Sequence, residues 1–187
     1  LNPSSAASDV YKRQDNVVSA QGHAFNSDGT KFFVVSKTKN DTQLNAHSLS
    51  RPYDLSSDIS QIADDGIDWA TAFSAGDGAV HAQDITFNND GTKMYLFDAG
   101  HNTAGDGGVV EYNLSTPYDT STASFVNELV TTSVLSRFEQ DVEFDDDGTR
   151  MYIIDSSNVN ASTKIAVYKL STPYPVSYTH LTLPTTD

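Results

Sequence analysis

The chain contains no cysteine in 187 residues, which excludes disulfides and thiolate metal centres. Basic residues are scarce: 11 Lys plus Arg stand against 25 Asp plus Glu, a formal charge of −14. A chain this acidic repels phosphate backbones, so no nucleic-acid partner is expected. Solubility, as in a saline habitat, accounts for such a charge without any ligand. Apolar runs fall far below bilayer-spanning length, and no membrane insertion is expected. A helical hydrophobic period of useful length is also missing, which disfavours helical solenoids.

What is present is repetition. The segment Phe87–Phe97, Phe-Asn-Asn-Asp-Gly-Thr-Lys-Met-Tyr-Leu-Phe, has counterparts at Phe25–Val35 and Phe144–Ile154. Their turn glycines are Gly29, Gly91 and Gly148, spaced 62 and 57 residues apart. A second landmark follows each: Leu49-Ser50-Arg51-Pro52-Tyr53, Leu114-Ser115-Thr116-Pro117-Tyr118 and Leu170-Ser171-Thr172-Pro173-Tyr174. Glycine to proline is 23, 26 and 25 residues. Two landmarks in the same order at similar separation mark a structural repeat.

The two ends stand apart from this pattern. Residues 4–14 match the translation of a transposon-based sequencing adaptor, and residues 176–185 match the opposite strand of the same adaptor. The expectation is a non-native segment at 1–14, a native segment at 15–175 internal to a longer gene, and a second non-native segment at 176–187. Trimming both ends leaves about 160 residues, enough for one modest domain or a run of repeats.

Within each unit the period-two alternation places strands. Ile85 and Phe87 share one face, as do Val142 and Phe144. The Asp-Gly step reverses the chain, because glycine accepts the positive φ of tight hairpin loops. In the next strand Met94 and Leu96 face one way, and Tyr95 and Phe97 the other. Both faces are apolar, so the sheet needs a neighbour on each side. A third strand is expected over Val109–Leu114 and Lys164–Leu170, a turn at the proline, and an edge strand over Ala123–Val130. In the first unit Asp64–Asp68 reads as a surface insertion ahead of the only tryptophan, Trp69. Four antiparallel strands per unit, repeated, describe the blades of a β-propeller. The fold class expected is all-β, an incomplete propeller whose blades span about 20–75, 81–130 and 137–174. Two complete blades and a partial third form an open arc, since a ring takes at least about four.

At Asn88-Asn89-Asp90-Gly91-Thr92-Lys93-Met94-Tyr95 and Val109-Val110-Glu111-Tyr112-Asn113-Leu114 the chain resembles propeller repeats of the YVTN and lactonase-like kind. The Leu-Ser-Thr-Pro element makes it similar to repeats of environmental bacterial and phage surface proteins. The resemblance covers about Gln21–Tyr174 and implies the fold; this fold hosts unrelated activities. The first unit departs most, with Gly22 and His23 where the others have Asp84-Ile85 and Asp141-Val142, and His47 in place of Tyr112 and Tyr168.

In propellers of this kind the first strand of each blade lines a central tunnel. The resemblance therefore makes His81, Asp84, Glu139 and Asp141 the tunnel-facing candidates, flanked by Gln83 and Gln140. Converging carboxylates could hold calcium or another divalent ion; the alternative is that they hydrate the tunnel or cap backbone groups between blades. Asp145-Asp146-Asp147-Gly148 lacks the alternate acid spacing of a calcium loop and reads as a turn. His101 and Asp106, in a glycine-rich loop, lack a nucleophile in a catalytic setting. Trp69 and Phe73 read either as a surface anchor for a ligand or as packing beneath the insertion.

Two functions follow. One is a non-catalytic scaffold, binding or adhesion module from a larger secreted, cell-surface or virion protein. Its partners would be a protein or carbohydrate ligand and the remaining blades of its own chain. The other is a metal-dependent, lactonase-like hydrolase with Asp84 and Asp141 among the ligands. No catalytic residue is assigned from the sequence, and no cofactor beyond that divalent ion is expected.

Overall fold

The computed structural model describes residues 20–37, 42–56, 58–64, 82–98, 108–131, 139–156, 163–174 and 178–182. These residues form three four-stranded antiparallel meanders. The first holds β1 (Ala20–Phe25), β2 (Lys31–Lys37), β3 (Thr42–Leu49) and β4 (Ile59–Asp64). The second holds β5 (Ala82–Phe87), β6 (Lys93–Asp98), β7 (Gly108–Leu114) and β8 (Ala123–Val130). The third holds β9 (Glu139–Phe144), β10 (Arg150–Ser156), β11 (Thr163–Leu170) and β12 (Tyr178–Thr182). A 3-10 turn, Thr120–Thr122, leads into β8, its start capped by the Asp119 carboxylate.

The fourth strand of the third sheet comes from the stretch that matches adaptor sequence. β12 pairs antiparallel with β11, Tyr168 opposite Leu181. An exposed strand edge accepts any extended segment with free backbone groups, and β11 offers such an edge.

The sheets stack through alternate side chains of single strands. Met94 and Leu96 are fully buried against Phe33, Val35 and Leu44 of the first sheet. Tyr95 and Phe97, on the opposite face of the same strand, are fully buried against Val142, Phe144, Met151 and Ile153 of the third. The two-faced burial expected of β6 is what the fold contains. The first strands β1, β5 and β9 lie against one another, so they form the inner edge of the arc.

Two aromatic contacts repeat across the joints. Phe87 packs on Phe33 of the preceding sheet at 4.7 Å, and Phe144 packs on Tyr95 at 4.5 Å between ring centroids. In each sheet the same phenylalanine also meets the tyrosine of the second landmark: Phe25 with Tyr53, Phe87 with Tyr118, Phe144 with Tyr174.

The three turns share one hydrogen-bond scheme. Gly29, Gly91 and Gly148 have φ of 71°, 71° and 64°. The Asn88 side-chain oxygen accepts from the Lys93 amide at 2.9 Å, and Asn26 does the same for Lys31 at 2.7 Å. Asp145 fills this role in the third turn, accepting from the amides of Thr149 and Arg150 at 2.6 and 2.8 Å. The first acid of the Asp145–Asp147 run is thus a turn brace, replacing an asparagine with a carboxylate of the same reach.

Candidate functional site: the groove along the inner strands

A groove of about 810 Å³ runs along the inner strands, with His23, Asp84, Asp141 and Glu143 among its polar walls and Phe25 and Tyr118 among its aromatic ones. It is the feature to which the sequence candidates point.

Each inner strand breaks register with its neighbour just ahead of the candidate position. The irregularity falls between Ala20 and His23 in β1, between Ala82 and Asp84 in β5, and between Glu139 and Asp141 in β9. The extra residue is Gln83 in β5 and Gln140 in β9, and Gln21 holds the matching place in β1. A bulge bends its strand and re-aims the side chain that follows. Here it turns Asp84 toward the third sheet.

Asp84 is only 8% exposed. Its Oδ2 accepts a hydrogen bond from the Val142 amide across the joint at 3.1 Å, and its carboxyl group shares a hydrogen bond with Asp141. Burial first, and the bond to Asp141 second, push its pKa up to about 8. A carboxyl group with its pKa raised this far keeps its proton near neutrality. The pair joins two blades through side chain, proton and backbone amide.

Gly22 occupies the matching place in the first sheet. A Cβ there would overlap Gln83 and Asp84, so only glycine lets β1 approach β5 this closely. The departure from aspartate in the first repeat is therefore a packing requirement of its joint with the second.

The other candidates are distributed as follows. His81 lies outside the described residues, as do Trp69, Phe73, His101 and Asp106. Glu139 opens β9, one residue before the bulge, in the same strand as Asp141. Asp84 and Asp141 are the two brought together. Among the described residues no three His, Cys, Asp or Glu side chains gather as a metal-binding group.

Sequence reasoning missed several inter-blade polar contacts. The Tyr95 hydroxyl donates to the Tyr174 carbonyl. Lys31 Nζ donates to the Tyr118 carbonyl at 2.9 Å, and Asn89 donates to the Asp146 carbonyl at 2.6 Å. Within the second sheet Lys93 pairs with Glu111, whose side chain is 3% exposed. The signal for that pair was an acid in the β7 run Val-Val-Glu-Tyr-Asn-Leu, at a position covered by the next blade.

No protein-family model and no curated protein matches the sequence. Among solved structures the chain is similar to a provisionally assigned 6-phosphogluconolactonase from Bacteroides uniformis, at 17% identity and a TM-score of 0.53. That match covers 88% of this chain and 39% of the other. The chain is also similar to a structure of the nidogen/laminin complex, at 12% identity and a TM-score of 0.50, covering 88% of this chain and 47% of the other. At these identities the likeness is one of fold. The chain is an incomplete β-propeller. It spans less than half the length of either of these structures.

Proposed function

We propose that this chain is a non-catalytic propeller segment, a scaffold or binding module within a larger secreted, cell-surface or virion protein. The observation that supports it most is the engagement of Asp84. The carboxylate best placed to serve chemistry is buried in a blade joint, bonded to Asp141 and to the Val142 amide. A carboxyl group engaged by a neighbouring carboxyl and a backbone amide holds blades together, and to bind a metal it would have to give up those bonds.

The module's partners are the remaining blades of its own chain and a protein or carbohydrate ligand. Its −14 charge disfavours nucleic acid. Among the described residues no helix is long and apolar enough to cross a membrane.

Titration calorimetry tests the reading, with calcium chloride as one probe and oligosaccharides as another. A six-membered sugar lactone serves as the hydrolysis substrate. Saccharide binding without turnover supports a binding module. Calcium heat with a raised melting temperature, or lactone hydrolysis lost on Asp84→Asn and Asp141→Asn, would replace it with the metal-dependent hydrolase.

A further inference from the structure

The three sheets differ at a few matched positions, and the differences move together. Strand register makes Lys31, Lys93 and Arg150 equivalent, and likewise Phe33, Tyr95 and Tyr152. On the next strand Ala46 stands opposite Phe33, Glu111 opposite Tyr95 and Val167 opposite Tyr152. The Phe33 and Tyr95 rings pack alike, on Phe87 at 4.7 Å and on Phe144 at 4.5 Å.

Each of the two joints places a donor on the carbonyl of the landmark tyrosine in the following sheet. In the first joint the donor is Lys31 Nζ, 2.9 Å from the Tyr118 oxygen. In the second it is the Tyr95 hydroxyl, on the Tyr174 oxygen. The matching lysine, Lys93, is drawn elsewhere: it pairs with Glu111 and reaches Asn113 Oδ1 at 3.3 Å. Arg150 in the third sheet is likewise held by an acid, Asp145, at 3.3 Å. Asp145 stands where the other turns have Asn26 and Asn88. The sheet with phenylalanine therefore has Asn26 and Ala46 at the two acid positions, while each sheet with tyrosine has one acid there, Glu111 or Asp145.

A carboxylate binds an ammonium group more strongly than a neutral carbonyl does, so an acid beside the lysine takes it from the joint. The carbonyl then needs another donor, because a polar group left unpaired in a packed seam is costly. We infer that Glu111 is a selector residue: it withdraws Lys93 from the joint, and Tyr95 supplies the hydroxyl that the withdrawal requires. Tyr95 with Glu111 is one setting of the inter-blade contact, and Phe33 with Ala46 is the other. Both settings fit the same partner, a blade whose proline turn presents the carbonyl of its tyrosine. A mixed setting, phenylalanine with the acid, leaves that carbonyl without a donor.

Urea denaturation of the full chain, read as a mutant cycle, tests it. Tyr95→Phe should raise the ratio of unfolded to folded protein about fivefold, since the Tyr174 carbonyl loses its donor. In a Glu111→Ala background the same change should raise it less than about twofold, because Lys93 then takes the carbonyl as Lys31 does. Adding Lys93→Met to that background should bring the full effect of Tyr95→Phe back, which a purely structural role of Glu111 would not. An equal effect of Tyr95→Phe with and without Glu111 overturns the inference, as does a rescue that survives Lys93→Met. The first joint supplies an independent arm that leaves the buried Lys93–Glu111 pair intact. Lys31→Met should raise the ratio about fivefold in the unmodified chain and less than about twofold after Phe33→Tyr, whose added hydroxyl takes the Tyr118 carbonyl. Equal effects of Lys31→Met in those two backgrounds overturn the inference as well.

Discussion

The ring of Tyr118 lies so close over Gly91 that a methyl group on that glycine would overlap it. Tyr118 is itself in the left-handed region, at φ 54°, and its amide donates to the Gly91 carbonyl at 2.9 Å. Its hydroxyl donates to the Asn89 carbonyl at 3.0 Å. Tyr53 over Gly29 and Tyr174 over Gly148 repeat the clasp, with φ of 56° and 66°. The two sequence landmarks are thus one structural unit, with hairpin turn and proline turn locked face to face.

Gly91→Ala should therefore cost more than a simple glycine-to-alanine change in a turn. Positive φ and ring overlap act together, and the expected loss is about 2–3 kcal/mol. Urea denaturation of the variant measures it.

Tyr118→Phe removes only the hydroxyl bond and should cost about 1 kcal/mol. Tyr118→Ala also removes the ring from both Gly91 and Phe87 and should cost about 3 kcal/mol or more. A chemical melt that gives equal losses for the two would mean that the ring contributes nothing.

Phe144→Ala should cost about 3–5 kcal/mol, because Phe144 fills the joint against Tyr95. Phe125→Ala, on the outer strand at 55% exposure, should change stability by less than about 1 kcal/mol. Thermal unfolding of both variants makes the comparison internal to one fold.

Removing Lys93 alone leaves a buried Glu111 without its cation. Lys93→Met should cost about 3 kcal/mol or more, and Lys93→Met with Glu111→Leu should recover most of it. The double-mutant cycle is read from denaturation midpoints.

The Asp84 pair gives stability a pH dependence of known sign. Its folded pKa, about 8, lies above the ordinary carboxylate value of 3.8, so the folded state holds the extra proton. The contribution is full below about pH 4 and is lost as pH rises toward and through 8. Asp84→Asn keeps the acceptor for Val142 and removes the titration. Relative to wild type, the variant should gain stability steadily between pH 5 and pH 8, by about 1 kcal/mol or more. Melting curves of both proteins over that range measure the difference. Asp28 and Asp90, lowered by bonds to Thr30 and Thr92, act in the opposite direction near pH 4 and cancel in the comparison.

How far the sequence carried can be seen in β6. Alternation alone placed Met94 and Leu96 on one face and Tyr95 and Phe97 on the other, because strand geometry fixes side-chain direction locally. The turns at Gly29, Gly91 and Gly148 were legible for the same reason. Asp84 was identified as notable, but its place in the joint depends on the bulge at Gln83 and on where the third sheet stands, neither of which is local. The tyrosine clasp left a trace in the near-constant spacing of the two landmarks, which is what a direct contact between them requires. The strand β12 had no such signal, since its pairing needs only an available edge on β11.

Because β6 gives alternate side chains to two different cores, no blade possesses an interior of its own. Tandem duplication of one unit therefore carries both halves of the joint with it and leaves every existing seam unaltered. A gene built this way lengthens or shortens by whole blades far more readily than it tolerates loss of a single strand.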